Sequence, residues 1–231
     1  MTIAELRRRN LFSVFVIILG AITAGCVELP GSKTKPPRLY VLTPKSTFAK
    51  NLPVVRWQLL IDKPVAPAAL STARIAMHDS PYELRYFQHA NWTDFAPQMV
   101  QALIIESFEN SNRIISVGRE QIGMRSDFQL KTELREFQAE YDRQMPPDTT
   151  SLGPKEAPPW ARVRINAKLV KMPHREIIAT RTFERRLRAK ANTMADIIEA
   201  FDSALGKVLK AMVGWTLKTG EAHRKAHPRS G

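Results

Sequence analysis

The sequence predicts an α+β fold in which two amphipathic helices pack on one face of an antiparallel sheet. Two observations support this class: apolar and polar residues alternate through three long segments, and two other segments repeat apolar residues at helical spacing. Alternation with a period of two is typical of a strand that has one buried and one solvated face. Helices that cover the buried face then complete a layered domain.

Three long strands are expected at 127–141, 160–171 and 175–189, where the alternation is clearest. The last two flank a short turn-like segment, as the strands of a hairpin do. Within the first, the apolar positions change phase between Leu134 and Phe137, which predicts a bulge. Shorter strands are predicted at 39–44, 54–61, 73–77, 83–87 and 113–117.

Two helices are predicted from apolar residues that recur at spacings of three and four. In the second helix, Thr193 and Asp196 stand three apart, like a capping box with Asp in place of Glu. The chain from Lys218 onward is polar, so we expect a frayed tail there. The apolar stripes comprise Phe95, Met99, Leu103, Ile104 and Phe108 in the first helix, and Ile198, Phe201, Leu205, Val208, Leu209, Met212 and Trp215 in the second.

The first 25 residues have the three parts of an export signal in order. Arg7 to Arg9 form a positive segment, Leu11 to Ile22 carry no charge, and small residues follow before Cys26. Twelve helical residues span about 18 Å, well short of a hydrocarbon core of about 30 Å. A cleaved signal peptide is therefore favoured over the alternative, an uncleaved N-terminal anchor. The proline-rich segment that follows predicts an extended tether.

The composition indicates a basic, exported protein without a recognisable catalytic motif. The formal net charge is +13, and since residues 1–25 hold three arginines and one glutamate, the rest of the chain carries +11. A single cysteine excludes an internal disulfide and a cysteine-based zinc cluster. The sequence contains neither a glycine-rich phosphate loop nor a G-x-S-x-G segment. We expect no catalytic residues and no cofactor.

Two groups of basic side chains are further candidates for a binding site. Arg185, Arg186 and Arg188 are candidate contacts for anionic lipid head groups, although a solvated outer sheet face explains the same pattern. His223 and His227 stand four apart and would share a helix face, but solvated histidines of a polar tail are the favoured interpretation, so no metal site is predicted. Nucleic acid is not expected as the partner of an exported chain.

The junction at Cys26 resembles the lipobox of bacterial lipoproteins. Ala24 and Gly25 fit that pattern, whereas Thr23 stands where leucine is usual. The resemblance implies that Cys26 carries a diacylglyceryl group and becomes the first residue of the mature protein. Val27 occupies the position at which an aspartate favours retention at the inner membrane, so the outer membrane is expected.

The order of short motifs resembles the auxiliary lipoprotein component of ABC-type transport systems, which includes the paraquat-inducible protein C lipoproteins. The resemblance implies a non-catalytic periplasmic protein with a fold like the N-terminal domain of TolB. It implies as partners an MCE-type protein with its permease and ATPase, which move lipids or other hydrophobic compounds. The motifs are "LYVLTP" at 39–44, "ARIAM" at Arg74, "YELRYF" with Tyr82, Leu84 and Tyr86, "NWTDF" with Trp92, "RTF" at 181–183 and "EAFDSALGKVL" at 199–209.

This interpretation gives the chain four parts and one leading function. The parts are a signal peptide at 1–25, the lipidated cysteine and tether at 26–38, the α+β domain at 39–217 and a polar tail at 218–231. The leading function is an accessory subunit that docks an MCE-type protein at a membrane. An outer-membrane assembly lipoprotein with a barrel partner, a hydrolase with an unrecognised site and a homo-oligomer stay open. Candidate partner contacts are Tyr82, Tyr86, Phe87 and Trp92, for which core packing is the alternative.

Overall fold

A computed structural model describes residues 36–80, 82–119, 125–141 and 157–228. Everything below concerns the compact unit that begins at Pro37. The described residues form strands and helices in the order β1 (Arg38–Tyr40), β2 (Val55–Ile61), β3 (Arg74–Ser80), β4 (Glu83–Trp92), α1 (Ala96–Asn110), β5 (Ile114–Arg119), β6 (Phe128–Glu140), β7 (Trp160–Lys171), β8 (Glu176–Arg188) and α2 (Met194–Ala226).

The three long strands β6, β7 and β8 form an antiparallel unit, as the alternation predicts. Glu140 lies opposite Trp160, and Trp160 lies opposite Arg188, so β7 pairs with β6 on one edge and with β8 on the other. The predicted bulge is confirmed, because the β6–β7 register shifts between Leu134 and Glu136. One face of this unit is apolar and the other is polar.

The sheet as a whole is mixed, so the prediction of an antiparallel sheet is wrong. The second edge of β6 is shared by two strands that follow one another along it. Leu59–Ile61 of β2 pair in parallel with its first residues, and Ala76–His78 of β3 pair in parallel with its last. The strand β5 is also parallel to β2, and β1 is parallel to β4.

Parallel pairs need long crossover connections, and the path from β2 to β5 contains the helix α1. The helix α1 packs beside β2 and β5, whereas α2 lies across β7 and β8 and also contacts α1. Buried Gln101 fixes α1 against β2 by donating its side-chain N–H to the carbonyl of Ile61 at 2.9 Å. Apolar residues of both helices and of the covered strand faces form one core cluster.

The helix α2 begins as predicted and ends later than predicted. The hydroxyl of Thr193 accepts a hydrogen bond from the backbone N–H of Asp196 at 3.3 Å, which confirms the N-terminal cap. The tail expected from Lys218 is helical as far as Ala226. Its last turns are retained because Gly220 is buried against the ring of Trp57. Within the described residues, no helix is long and apolar enough to cross a bilayer.

Candidate functional site

The predicted lipid anchor lies outside the described residues, and so do the signal peptide and residues 142–156 of the proline-rich insertion. Lipidation of Cys26 therefore stays a prediction. The described domain begins two residues before β1, and the tether predicted at 26–38 leads directly into this strand. The other candidate contacts with a partner or a membrane lie in the folded domain.

The turn between β3 and β4 presents an aromatic ring to solvent. Tyr82 is 95% exposed, and its backbone N–H donates to the hydroxyl of Ser80 at 3.4 Å. Below the turn, Asp79 and Arg85 form an ion pair at 2.8 Å that joins the two strands. An exposed ring on a paired hairpin is available to a partner at a small conformational cost. Among the four candidate aromatic contacts, Tyr82 is the one placed for this role.

Tyr86 and Phe87 are half-buried, and the contacts of Tyr86 are internal. The hydroxyl of Tyr86 donates to the carbonyl of Ala69 at 3.1 Å, and the guanidinium carbon of Arg74 lies 3.7 Å from its ring centroid. These contacts hold the segment after β2 onto β4. Phe87 packs against the core cluster with its inner side. Both residues are therefore less accessible to a partner than Tyr82.

Trp92 is a core residue, so core packing is the interpretation that applies to it. Its side chain is 1% exposed. The ring centroid lies 5.4 Å from that of Phe137 on β6 and 5.4 Å from that of Phe201 on α2. Trp92 therefore joins the sheet to the long helix and is inaccessible to a partner.

The uncovered face of β6, β7 and β8 carries a network of ion pairs. Glu140 lies 3.1 Å from both Arg162 and Arg186, and Glu184 lies 2.8 Å from Arg162 and 3.6 Å from Arg164. Burial lowers the pKa of Arg162, but its hydrogen bonds to Glu140 and Glu184 outweigh this effect and raise it overall. The sequence shows the arginines as a basic run, and only the strand register reveals the carboxylates beside them.

The three candidate head-group contacts are divided between the two sides of β8. Arg186 and Arg188 lie on the uncovered face, with guanidinium carbons 4.6 and 5.2 Å from the ring of Trp160. Arg185 lies on the opposite side and donates to the backbone carbonyl of Glu184 at 2.6 Å. The division follows from strand alternation. A flat surface therefore contacts Arg186 and Arg188 together but leaves Arg185 out.

An open groove of about 550 Å³ separates α1 from the chain after β1. Its walls are partly apolar, and Asp94, Glu106 and Arg119 bring charges to it. The groove is assembled from segments distant in the chain, so local patterns could not predict it. Its apolar lining residues are Val41, Leu42, Pro44, Met99, Ala102 and Leu103.

The two C-terminal histidines stack on each other at the end of α2. Their ring centroids are 4.4 Å apart, and Nδ1 of His227 lies 3.1 Å from the carbonyl oxygen of His223. Burial, followed by the proximity of His227, lowers the pKa of His223. Across the described ranges, no three histidine, cysteine, aspartate or glutamate residues are grouped so that they could hold a metal ion.

Known proteins resemble this chain in sequence and in fold. A protein of Xanthomonas campestris, known from a crystal structure, is 31% identical, with a TM-score of 0.72 over 81% of this chain and 99% of that one. A second solved protein is 11% identical with a TM-score of 0.54, over 83% of this chain and 99% of that one, and this likeness concerns the fold alone.

An uncharacterized protein of Bradyrhizobium diazoefficiens is 25% identical over 203 residues, which are 86% of this chain. The chain spans about half the length of that relative. The family model of the ABC-type transport auxiliary lipoprotein component matches residues 40–213, from the end of β1 far into α2. The chain belongs to the family of ABC-type transport auxiliary lipoprotein components.

Proposed function

We propose that this protein is a lipid-anchored, non-catalytic accessory subunit of an MCE-type ABC transport system that moves lipids or other hydrophobic compounds across the cell envelope. The observation that carries the proposal is the family match over 40–213, which includes most of the folded domain. Lipoprotein family membership indicates a location in the cell envelope. The expected partners are an MCE-type protein with its permease and ATPase.

The proposed anchor is a lipid on Cys26 in the outer membrane. The small residues before Cys26 and the valine after it support this assignment. Two or three acyl chains hold a protein firmly, because each buried CH₂ contributes about 0.8 kcal/mol. The tether at 26–38 then separates the domain from the bilayer. Likeness of the fold to the N-terminal domain of TolB stays a prediction.

The proposed contact with the MCE-type protein is the turn between β3 and β4. Tyr82 is 95% exposed there, whereas Tyr86 and Phe87 are half-buried on β4. Aromatic rings that are exposed on rigid elements are frequent anchors of protein interfaces. Assembly with a barrel partner is the alternative for the same surface, and either partner accounts for an exposed ring.

Co-purification tests the accessory role directly. The full-length protein is extracted from its native host in mild detergent, and co-purifying proteins are identified by mass spectrometry. We expect an MCE-type protein with a permease and an ATPase. Recovery of an outer-membrane barrel instead would favour the assembly alternative, and hydrolytic activity in the purified protein would revive the enzyme hypothesis.

Two variants separate the anchor from the contact surface. Cys26→Ser should move the protein from the membrane fraction to the soluble periplasmic fraction. Tyr82→Ala should leave the protein in the membrane but reduce recovery of the partner. Ile177→Ala is the matched control, since Ile177 is 55% exposed on a different hairpin. Equal recovery with Tyr82→Ala and Ile177→Ala would exclude the β3–β4 turn as the contact.

A further inference from the structure

The solvent-exposed side of α2 carries lysines that have no acidic partner. Lys207, Lys210 and Lys218 are exposed, and in the part of the chain that the structure describes none of their amino groups is ion-paired or hydrogen-bonded. Because successive helical residues are turned by about 100°, the three positions fall within an arc of about 80°. They therefore form one basic stripe along the second half of α2.

The helix α2 follows β8 in the chain and returns alongside it in the opposite direction. The two elements meet where the ring centroids of Phe183 and Trp215 lie 5.6 Å apart. From this contact, two strand residues advance about 6.6 Å and five helix residues advance about 7.5 Å. Arg185 of β8 therefore lies level with Lys210 of α2.

Two arginines of β8 add positive charge beside this stripe. Arg181 and Arg185 are exposed and lie on the helix side of the sheet, since both pair in register with buried apolar residues of β7. The guanidinium carbon of Arg181 lies 5.4 Å from the ring centroid of Phe183, and Arg185 donates to a backbone carbonyl at 2.6 Å. Across the described ranges, neither guanidinium is paired with a carboxylate. We call these cations the basic face: Arg181, Arg185, Lys207, Lys210 and Lys218.

The acidic residues of the two helices lie outside the basic face or are already paired. Glu199 and Asp202 precede the lysines on α2. Glu221 follows them, but it is 8% exposed and lies 2.8 Å from Arg224. On the uncovered sheet face, by contrast, the arginines of β7 are paired with glutamates. The unpaired positive charge of the helix layer is thus concentrated on the basic face. The exposed acids of α1 are Glu106 and Glu109.

We propose that the basic face binds the surface of an anionic lipid bilayer. This inference rests on the proposed function, because a lipid on Cys26 brings the domain to a membrane. The tether predicted at 26–38 ends five residues before Thr43, whose backbone N–H donates to the carboxylate of Asp202 on α2 at 2.6 Å. The tether therefore joins the domain close to α2. Lysines and arginines held near a bilayer in this way are attracted to anionic head groups.

The composition of the basic face favours a lipid surface over a protein partner. Lysine is depleted in protein interfaces, whose centres hold aromatic and apolar anchors. Within the described residues, none of the exposed large hydrophobic side chains lies on α2. A flat anionic surface can approach the lysines closely, because the other residues of the same arc are small. These small residues are Ser203, Ala211 and Gly214.

Lysine footprinting of the anchored protein measures this contact. The full-length lipoprotein is purified from its native host and reconstituted into vesicles of phosphatidylcholine, either alone or mixed with anionic phosphatidylglycerol. Amino groups are acetylated, and mass spectrometry measures the reaction at each lysine. Acetylation of Lys207, Lys210 and Lys218 should be at least about threefold lower in the anionic vesicles, and high salt should remove the difference. Lys168, exposed on the uncovered sheet face, should react equally in both.

A charge-matched pair of double variants locates the contact. Lys207→Glu with Lys210→Glu should abolish the protection of Lys218, because two attractive charges become repulsive. Lys63→Glu with Lys168→Glu changes the net charge equally at exposed positions outside the basic face, and it should leave Lys218 protected. Circular dichroism verifies that both variants are folded.

Three outcomes would overturn the proposal. They are equal acetylation of the α2 lysines in neutral and anionic vesicles, equal protection of Lys168, and equal loss of Lys218 protection in the two double variants. Protection of the α2 lysines by a co-purified protein but not by anionic vesicles would also overturn it and identify an acidic protein as the occupant. Failure of the anchor gives a different result, since an unlipidated protein does not float with neutral vesicles. Its flotation with anionic vesicles then still tests the basic face.

Discussion

The two faces of the β6–β7–β8 unit are stabilised by different forces, although they share the same backbone. On the helix side of β7, Val163, Ile165 and Leu169 have no measurable exposure to solvent. On the uncovered side of the same strand, Arg162 and Arg164 reach across to carboxylates of the neighbouring strands. Adjacent residues of one strand thus belong to an apolar core and to a solvated ion-pair network.

Stability and recognition depend on different faces of this unit. Full burial of a leucine, valine or isoleucine contributes about 1.5–3 kcal/mol. An exposed ion pair contributes about 0–1 kcal/mol, because solvent screens it and because ordering its side chains costs entropy. The covered face therefore determines whether the domain folds. The uncovered face and its edge tolerate changes in charge and are free to determine which partner binds.

The largest expected effect is a cavity on the covered face. Phe137→Ala should lower the free energy of unfolding by about 3–5 kcal/mol. The ring of Phe137 is 1% exposed and packs against the rings of Trp92 and Phe201. Urea unfolding followed by circular dichroism measures the loss. Thr180→Ala, at an exposed position of β8 on the uncovered face, should change stability by less than about 0.5 kcal/mol. Similar losses in the two variants would show that the two faces contribute equally to stability.

A second test adds atoms to the covered side. A Cβ at Gly220 would lie 2.8 Å from Cζ2 of Trp57, so Gly220→Ala should destabilise the domain by about 1–3 kcal/mol. A Cβ at Gly206 would meet nothing nearer than Cδ of Lys45 at 3.8 Å. Because alanine is the better helix former, Gly206→Ala should stabilise the protein by about 0.5–1 kcal/mol. Thermal unfolding of both variants measures the difference. Stabilisation by Gly220→Ala would contradict the prediction and show that the Trp57 ring moves aside at little cost.

The covered face could be predicted from the sequence because its signal is local. Alternation along 160–171 identifies β7 and its buried side without reference to any other strand. The parallel pairing could not be predicted in this way, since nothing in β2 or β3 marks β6 as their common neighbour. The last turns of α2 could not be predicted for the same reason, because the packing of Gly220 on Trp57 joins distant parts of the chain.

The candidate sites show the same limit. The exposed and buried aromatic residues near β4 look alike in sequence, and only the fold separates Tyr82 from Trp92. The sequence shows the arginines of β8 as a basic run. It does not show that Glu140 on β6 is their partner, because the position of Glu140 beside Arg186 depends on the register of three strands.

A smaller effect is expected on the uncovered face itself. Glu140→Gln removes the carboxylate that Arg162 and Arg186 share, in a side chain that is only 17% exposed. Stability should fall by about 1–2 kcal/mol at low salt, between the values typical of exposed and buried pairs. The loss should diminish at high salt. Urea unfolding at two salt concentrations tests this, with Glu199→Gln as the control, since its pair with Lys190 is mostly exposed and should contribute little. A loss as large as that of Phe137→Ala would contradict the comparison.

The smallest expected effect is a pH dependence at the end of α2. Burial, followed by His227, lowers the pKa of His223, so the folded state disfavours its charged form. Neutral His223 therefore contributes its full stabilisation of the folded state above its unfolded pKa of about 6.5. This stabilisation is lost as the pH falls through the lower pKa of the folded state. Hydrogen exchange should therefore show the last turns of α2 opening more readily near pH 5 than at pH 7. His223→Gln should flatten this dependence, and His174→Gln, in the exposed turn between β7 and β8, should leave it unchanged. If both variants retain the full slope, the acid sensitivity belongs to carboxylates such as Glu221, whose pKa is lowered by its hydrogen bond to Arg224.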